Sequence, residues 1–330
     1  MDQGIFVSGY TDPQHPGTLG WDQDPSWVLL LPEGRVVALG EKDTGLIALF
    51  QQAPDGWVNL ATAASGGRLP CHACWLGPRD DLVVVVAHYG DGAVTALRLR
   101  ELGHTPQVLV APSEGAHAHA VVPTPEGLGL FLVDLGRNTV ELYRVGAGWP
   151  LTFSLVASLA TGPGSGPRHL AVHPRLPVAY LVTEFSNELV TLRWSLGPST
   201  PQTPGLEVLG RVSLLPEGAV AESFGAAVKV SSDGKFVLAT NRGHNSVVSF
   251  SLDSQGTPQE PVWTASAGDW PRDLALSPDG SQVAVANQRS GTVALFDRNP
   301  GTGALQFRAT EENHQPSVVV FNRLGSNSSP

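Results

Sequence analysis

The sequence predicts an all-β chain, a seven-bladed β-propeller whose closing blade is truncated. Three observations carry this reading. A short opening segment recurs seven times at intervals near 45 residues, the period of propeller blades. The first six copies continue alike, through a Pro/Gly/Asp turn, an apolar run, a polar tip and a Val-rich run. No helical stretch of convincing length interrupts them.

The openings are PSWVLLLPEG at Pro25, PCHACWLGPRD at Pro70, HAHAVVPTPEG at His117, GPRHLAVHP with its proline at 167, GAAVKVSSDG at Gly225, PRDLALSPDG at Pro271 and PSVVVFN at Pro316. Their third residues, Trp27, His72, His119, His169, Ala227, Asp273 and Val318, are spaced by 45, 47, 50, 58, 46 and 45. The longest interval absorbs a Pro/Gly/Ser-rich insert, residues 197–205, expected to be a surface loop. The second halves run from VVALGEKDTGLIALF to QVAVANQRSGTVALF and align over their tips without gaps. Short β-branched runs bounded by Gly, Asp and Asn read as strands.

The seventh copy is followed by too few residues to complete a blade. IFVSGY, Ile5 to Tyr10, can supply one strand from the N-terminus, so the closing blade is expected to hold about two strands. Its uncovered edge could pair with a second copy of the chain. The propeller is expected to occupy residues 1–324 as one domain, with 325–330 a disordered tail. With 37 Gly, 27 Pro and only 15% charged residues, composition agrees with many short strands.

A net charge of -10 without a Lys/Arg-rich run argues against nucleic acid. No apolar run approaches the roughly 18 residues of a spanning helix, and the N-terminus lacks a basic region ahead of an apolar core. No membrane partner and a cytoplasmic location are expected. The two cysteines stand as CHAC, Cys71 and Cys74. No second ligand pair accompanies them for zinc, so they read as free, buried thiols.

Antiparallel pairing places the start of each first strand beside the end of the second. Two polar columns then meet at one mouth of the central channel. One holds His72, His117, His119, Arg168, His169, Arg272 and Asp273. The other holds Glu41, His88, Asp134, Glu184, Asn241, Arg242 and Asn287. Asp134, Asn287 and Asp273 also suit structural roles at turns. Two guanidiniums, an imidazole and a carboxylate in one concavity (Arg168, Arg242, His169, Glu184) favour function. His169 and His173 lie roughly 13 Å apart at about 3.3 Å per residue, too far to share an ion. His117 and His119 could chelate, but nothing nearby completes a site, and no metal or other cofactor is expected.

On PCHACW, AHYGDGAV, HAHAV, VDLGRNTVELY, GPGSGPRHLAVHP, LVTEF and ATNRGHNSVVSF the sequence resembles the seven-bladed propeller lactonase family. That family includes propeller-type 6-phosphogluconolactonases and fungal carboxy-muconate cyclases. The resemblance implies a site built from His119, with His117 beside it, and from Arg168, Glu184 and Arg242, with His169 in the same motif. His72, His117, Asp134, Asn241 and Arg272 are the expected substrate contacts. Departures are His88, where the family has Asn before Tyr-Gly, and a reduced N-terminal motif, Gly9-Tyr10-Thr11.

The expected reaction is hydrolysis of a small anionic sugar-acid lactone, 6-phospho-glucono-δ-lactone first. Glu184 or His169 would be the base, with Arg168 and Arg242 either stabilising the oxyanion or holding a phosphate or carboxylate bidentately. A cycloisomerase acting on a carboxy-muconate and a non-catalytic binding propeller are the rival readings.

Overall fold

The computed structural model describes residues 4–197, 205–219 and 222–321. The 325–330 tail and nearly all of the 197–205 insert lie outside them. Six four-stranded antiparallel sheets and one two-stranded sheet follow one another in the chain. The inner strands, in blade order, are Pro25–Leu31, Pro70–Leu76, Ala118–Pro123, Pro167–Val172, Phe224–Val230, Pro271–Leu276 and Pro316–Phe321. Each copy of the sequence repeat is one blade.

The expected ring closure is present. Ile5–Gly9 pairs antiparallel with Pro316–Phe321, from Ile5 opposite Phe321 to Gly9 opposite Pro316. Among the described residues this blade has two strands. The segment after Gly9 returns along its outer side, where Thr18 Oγ1 donates to the Val7 carbonyl at 2.7 Å.

The apolar cores lie between blades rather than within them. Val83, Val85 and Ala87 pack toward the third blade, while Leu82, Val84 and Val86 pack toward the first. A second strand is therefore buried on both faces, which is why its sequence is a continuous apolar run instead of an alternation. Each such Val contributes roughly 1.5–3 kcal/mol when fully buried. The last layer unites Phe6 and Val318 of the closing blade with Trp27, Val36 and Ile47. Among the described residues no helix is long and apolar enough to cross a membrane.

One irregularity recurs in all seven inner strands: a β-bulge near the start, after the first residue in six of them and after the second in Phe224–Val230. The bulged residues are Ser26, Cys71, His119, Arg168, Ala226, Arg272 and Ser317. This corrects the alignment by spacing. In the third blade Ala118 pairs with Asp134 and Ala120 with Val133, so His119 is equivalent to Arg168, not to His169. A bulge inserts one residue without altering hydrophobicity, so the apolar pattern alone could not place it.

Candidate active site

The bulges aim Arg168, Arg272 and His119 at the mouth predicted from the columns. Gly166 sets up the entry to Arg168. It has φ +61°, and a Cβ there would lie 2.4 Å from the Phe185 ring. Its amide is held by the tip residue Asn138, at 2.9 Å to Oδ1. Its carbonyl accepts from the Glu184 amide at 2.6 Å. The strand carrying the arginine and the tip carrying the glutamate are thus tied at one glycine.

Glu184 lies between two guanidiniums. Its Oε2 is 3.0 Å from Arg168 Nε and 3.1 Å from Arg242 Nη2. The Arg168 contact is an ion pair not aligned as a hydrogen bond. Arg168, 3% exposed, donates instead from Nη1 to the Ala226 carbonyl at 2.8 Å. Arg242 donates to the Gly225 carbonyl at 3.1 Å, with Phe224 and Trp270 rings 5.9 and 5.3 Å from its guanidinium carbon. Burial, then Arg168, pulls Arg242 down to about 9 against the opposing effect of Glu184, leaving it charged at neutral pH. Trp270 reaches this position from a left-handed backbone, φ 67°, immediately before a proline, where sterics disfavour that conformation.

Arg272 is clasped separately. Its Nη2 donates to Tyr10 Oη at 2.8 Å and lies 3.9 Å from Glu41 Oε2. Tyr10 in turn donates to Glu41 at 2.9 Å. Burial opposes the charge on Arg272, but Tyr10 and Glu41 outweigh it and raise its pKa. Three guanidiniums thus face two carboxylates, a local excess of positive charge on an acidic chain.

Beneath the arginines the channel is filled by aromatic groups. Trp27 stacks on His72 at 4.0 Å and meets His169 edge-on at 5.7 Å. His169 also meets His72 and His119, at 5.4 and 5.2 Å. Its Nε2 is 3.5 Å from Arg168 Nη1. Trp27 Nε1 donates to the Ala73 carbonyl at 3.0 Å, His72 Nδ1 accepts from the Val121 amide at 3.4 Å, and Asp273 Oδ2 accepts from the Val319 amide at 3.1 Å. Each bond satisfies the inner edge of the next blade. On the opposite side of this layer, Trp27, Lys229 and Asp273 line a separate cavity of about 430 Å³.

The imidazoles of His72, His119 and His169 are all held well below their usual range. Burial is the main cause; Arg168 adds to it at His119 and His169, and Lys229 followed by Arg168 at His72. The unfolded chain takes up protons on them near pH 6.5 while the folded protein does not. Stability from these groups is therefore complete above that pH and is lost as the pH falls below it. The limiting slope for three protons is about 4 kcal/mol per pH unit. Denaturant titrations between pH 7.5 and 5 test this, and a flat stability across that window would exclude three buried neutral imidazoles.

Not every expected contact joins the cluster. Asp134 instead accepts the His117 and Arg137 amides at 2.9 and 3.0 Å. Asn241 donates to the Leu214 carbonyl at 2.9 Å. His88 and Asn287 similarly bond Ser65 and Ser266 of the preceding linkers. In four tips the residue pairing just ahead of the bulge (Gly40, His88, Thr183 or Asn241) is architectural, and the next one (Glu41, Tyr89, Glu184 or Arg242) faces the mouth. His117 stacks on Tyr89 at 4.6 Å and gives Nδ1 to its carbonyl at 2.7 Å. His119 meets the same ring edge-on at 5.8 Å, so the two histidines do not form a chelate. Cys71 and Cys74 are free and buried.

Sequence reasoning left Tyr10, Trp27, Tyr89, Phe224 and Trp270 out of the site. Tyr10 stood in the reduced N-terminal motif, which was the available signal.

A seven-bladed ring with a buried Arg/Glu/His cluster at its channel mouth defines the class. A family model, the seven-bladed β-propeller lactonases, matches residues 15–321, and the chain belongs to that family. A 6-phosphogluconolactonase of Bacillus subtilis is 33% identical over 250 residues, 72% of this chain and 69% of the relative. One of Formosa agariphila is 28% identical over 78% of this chain and 75% of the relative. Among solved structures, a Lactobacillus plantarum protein superposes with TM-score 0.84 at 25% identity, covering 96% of this chain and 98% of its own. A periplasmic gluconolactonase of Pseudomonas aeruginosa gives 0.80 at 26%, covering 96% and 97%.

Proposed function

We propose that the chain hydrolyses a sugar-acid lactone bearing an anionic group, with 6-phospho-glucono-δ-lactone the first substrate to test. The observation that carries this is the double pairing of Glu184 Oε2 by Arg168 and Arg242. Its other oxygen, Oε1, accepts no protein hydrogen bond among the described residues and is the atom available to a water. In this reading Oε1 takes a proton from the water as it attacks the lactone carbonyl. Arg168 and Arg242 stabilise the oxyanion. As the ring C–O bond breaks, the same proton returns to the ring oxygen, giving the open hydroxy acid. Arg272, presented by Tyr10 and Glu41, takes the substrate's anionic group. His169 supports Arg168 from below, which favours Glu184 over His169 as the base. The names of the B. subtilis and P. aeruginosa relatives support this substrate class.

The test is initial acid release above the spontaneous rate from 6-phospho-glucono-δ-lactone, glucono-δ-lactone and a γ-lactone, alongside loss of diene absorbance from a carboxy-muconate. Faster opening of the phosphorylated lactone is expected. Turnover of the muconate alone, or of nothing, overturns the reading. Glu184→Gln keeps the size of the side chain and removes the base. A fall in kcat of about 10²–10⁴-fold with little change in KM is expected.

A further inference from the structure

We propose that Asp12, His15 and His314 form a site for a divalent transition metal, Zn²⁺ by preference, that staples the closing blade. Among the described residues this is the one group that brings three ligand atoms within 4.8 Å of one another. The two imidazoles stack face to face, centroids 4.1 Å apart and planes inclined by 6°, so one ring must turn about its Cβ–Cγ bond to bring both in-plane lone pairs onto one ion. His15 Nδ1 and His314 Nε2 each lie 3.2 Å from Asp12 Oδ2. With metal–ligand bonds of about 2.0 Å, the edge of a tetrahedron is about 3.3 Å, so Oδ2 already stands near ligand spacing from both nitrogens.

The other carboxylate oxygen is committed elsewhere. Asp12 Oδ1 accepts the Gln14 and His15 amides at 2.8 and 2.9 Å and lies 3.0 Å from His15 Nδ1. The amides orient Oδ2 outward, as hydrogen bonds around a metal site orient its ligands. Two imidazoles and one carboxylate leave a fourth position for water, a set that suits zinc. Gln315 Nε2, 3.4 Å from His314 Nε2, would turn aside.

The placement supplies the role. Asp12 and His15 follow the outer strand of the two-stranded blade, and His314 leads into its inner strand. Nearby, the Tyr10 amide bonds the Gln315 carbonyl at 3.2 Å. A metal would cross-link the two chain segments that close the ring.

The test adds Zn²⁺ to metal-depleted full-length protein, followed by calorimetry and thermal unfolding, with Co²⁺ as a spectroscopic probe. One equivalent bound, the intense visible bands of four-coordinate Co²⁺, and a Tm increase of about 3–4 °C at a hundredfold excess over Kd are expected. His314→Ala and Asp12→Asn should abolish all three, while replacing the exposed, remote His104 should not. No binding by the unsubstituted protein, or equal binding by the folded His314→Ala variant, overturns the proposal.

Discussion

Replacing Arg168 with Gln is expected to lower kcat/KM by about 100-fold or more, equivalent to about 2.7 kcal/mol of transition-state stabilisation. Arg168 is buried, paired with Glu184 and anchored to the Ala226 carbonyl. Its charge is therefore presented in a fixed direction with little water to screen it. Gln can retain a bond to Ala226 but brings no charge. Lysine restores charge without the planar fork that contacts Glu184 and Ala226 together, so Arg168→Lys should recover little. Steady-state kinetics on the phosphorylated lactone checks both variants, with circular dichroism confirming the fold. Unchanged turnover in Arg168→Gln removes the arginine from the mechanism.

Trp27→Ala is expected to cost about 3–5 kcal/mol of stability. The indole stacks on His72 of the second blade, meets His169 of the fourth and lies 5.6 Å from Lys229 Nζ of the fifth. Its loss opens a cavity shared by four blades, and the surrounding strands are too constrained by their own ladders to collapse into it. With unfolding entropy scaled to chain length, Tm should fall by about 4–7 °C. Activity should fall as well, because His169 would lose the packing that fixes it below Arg168. Thermal unfolding measures the first effect. A shift under 1 °C would show that the channel layer does not hold the ring together.

Both variants bear on what could be read in advance. Glu184, Arg168 and Arg242 could be placed at one mouth in advance because a repeat turns linear position into position around a ring, and two guanidiniums, an imidazole and a carboxylate then fell in one concavity. The partition within each tip was less legible. His88 and Asn241 precede the mouth-facing Tyr89 and Arg242 by a single position, and the polarity of these two, like that of Asp134 and Asn287, does not distinguish bonding a neighbouring segment from facing a ligand. Tyr10 and Arg272 are 262 residues apart, so their contact depends on ring closure rather than on a local motif.

The sequence by itself determined the number of blades, the two-stranded closure and the mouth at which the charged residues gather, because periodic apolar burial is written along the chain. The tertiary structure alone decided which side chains turn inward. A β-bulge moved His119 into register with Arg168, and the packing of facing blades placed Trp27 among the histidines. The physical reason is that a bulge and a cross-channel contact depend on backbone geometry and distant partners, neither of which leaves a period in the sequence.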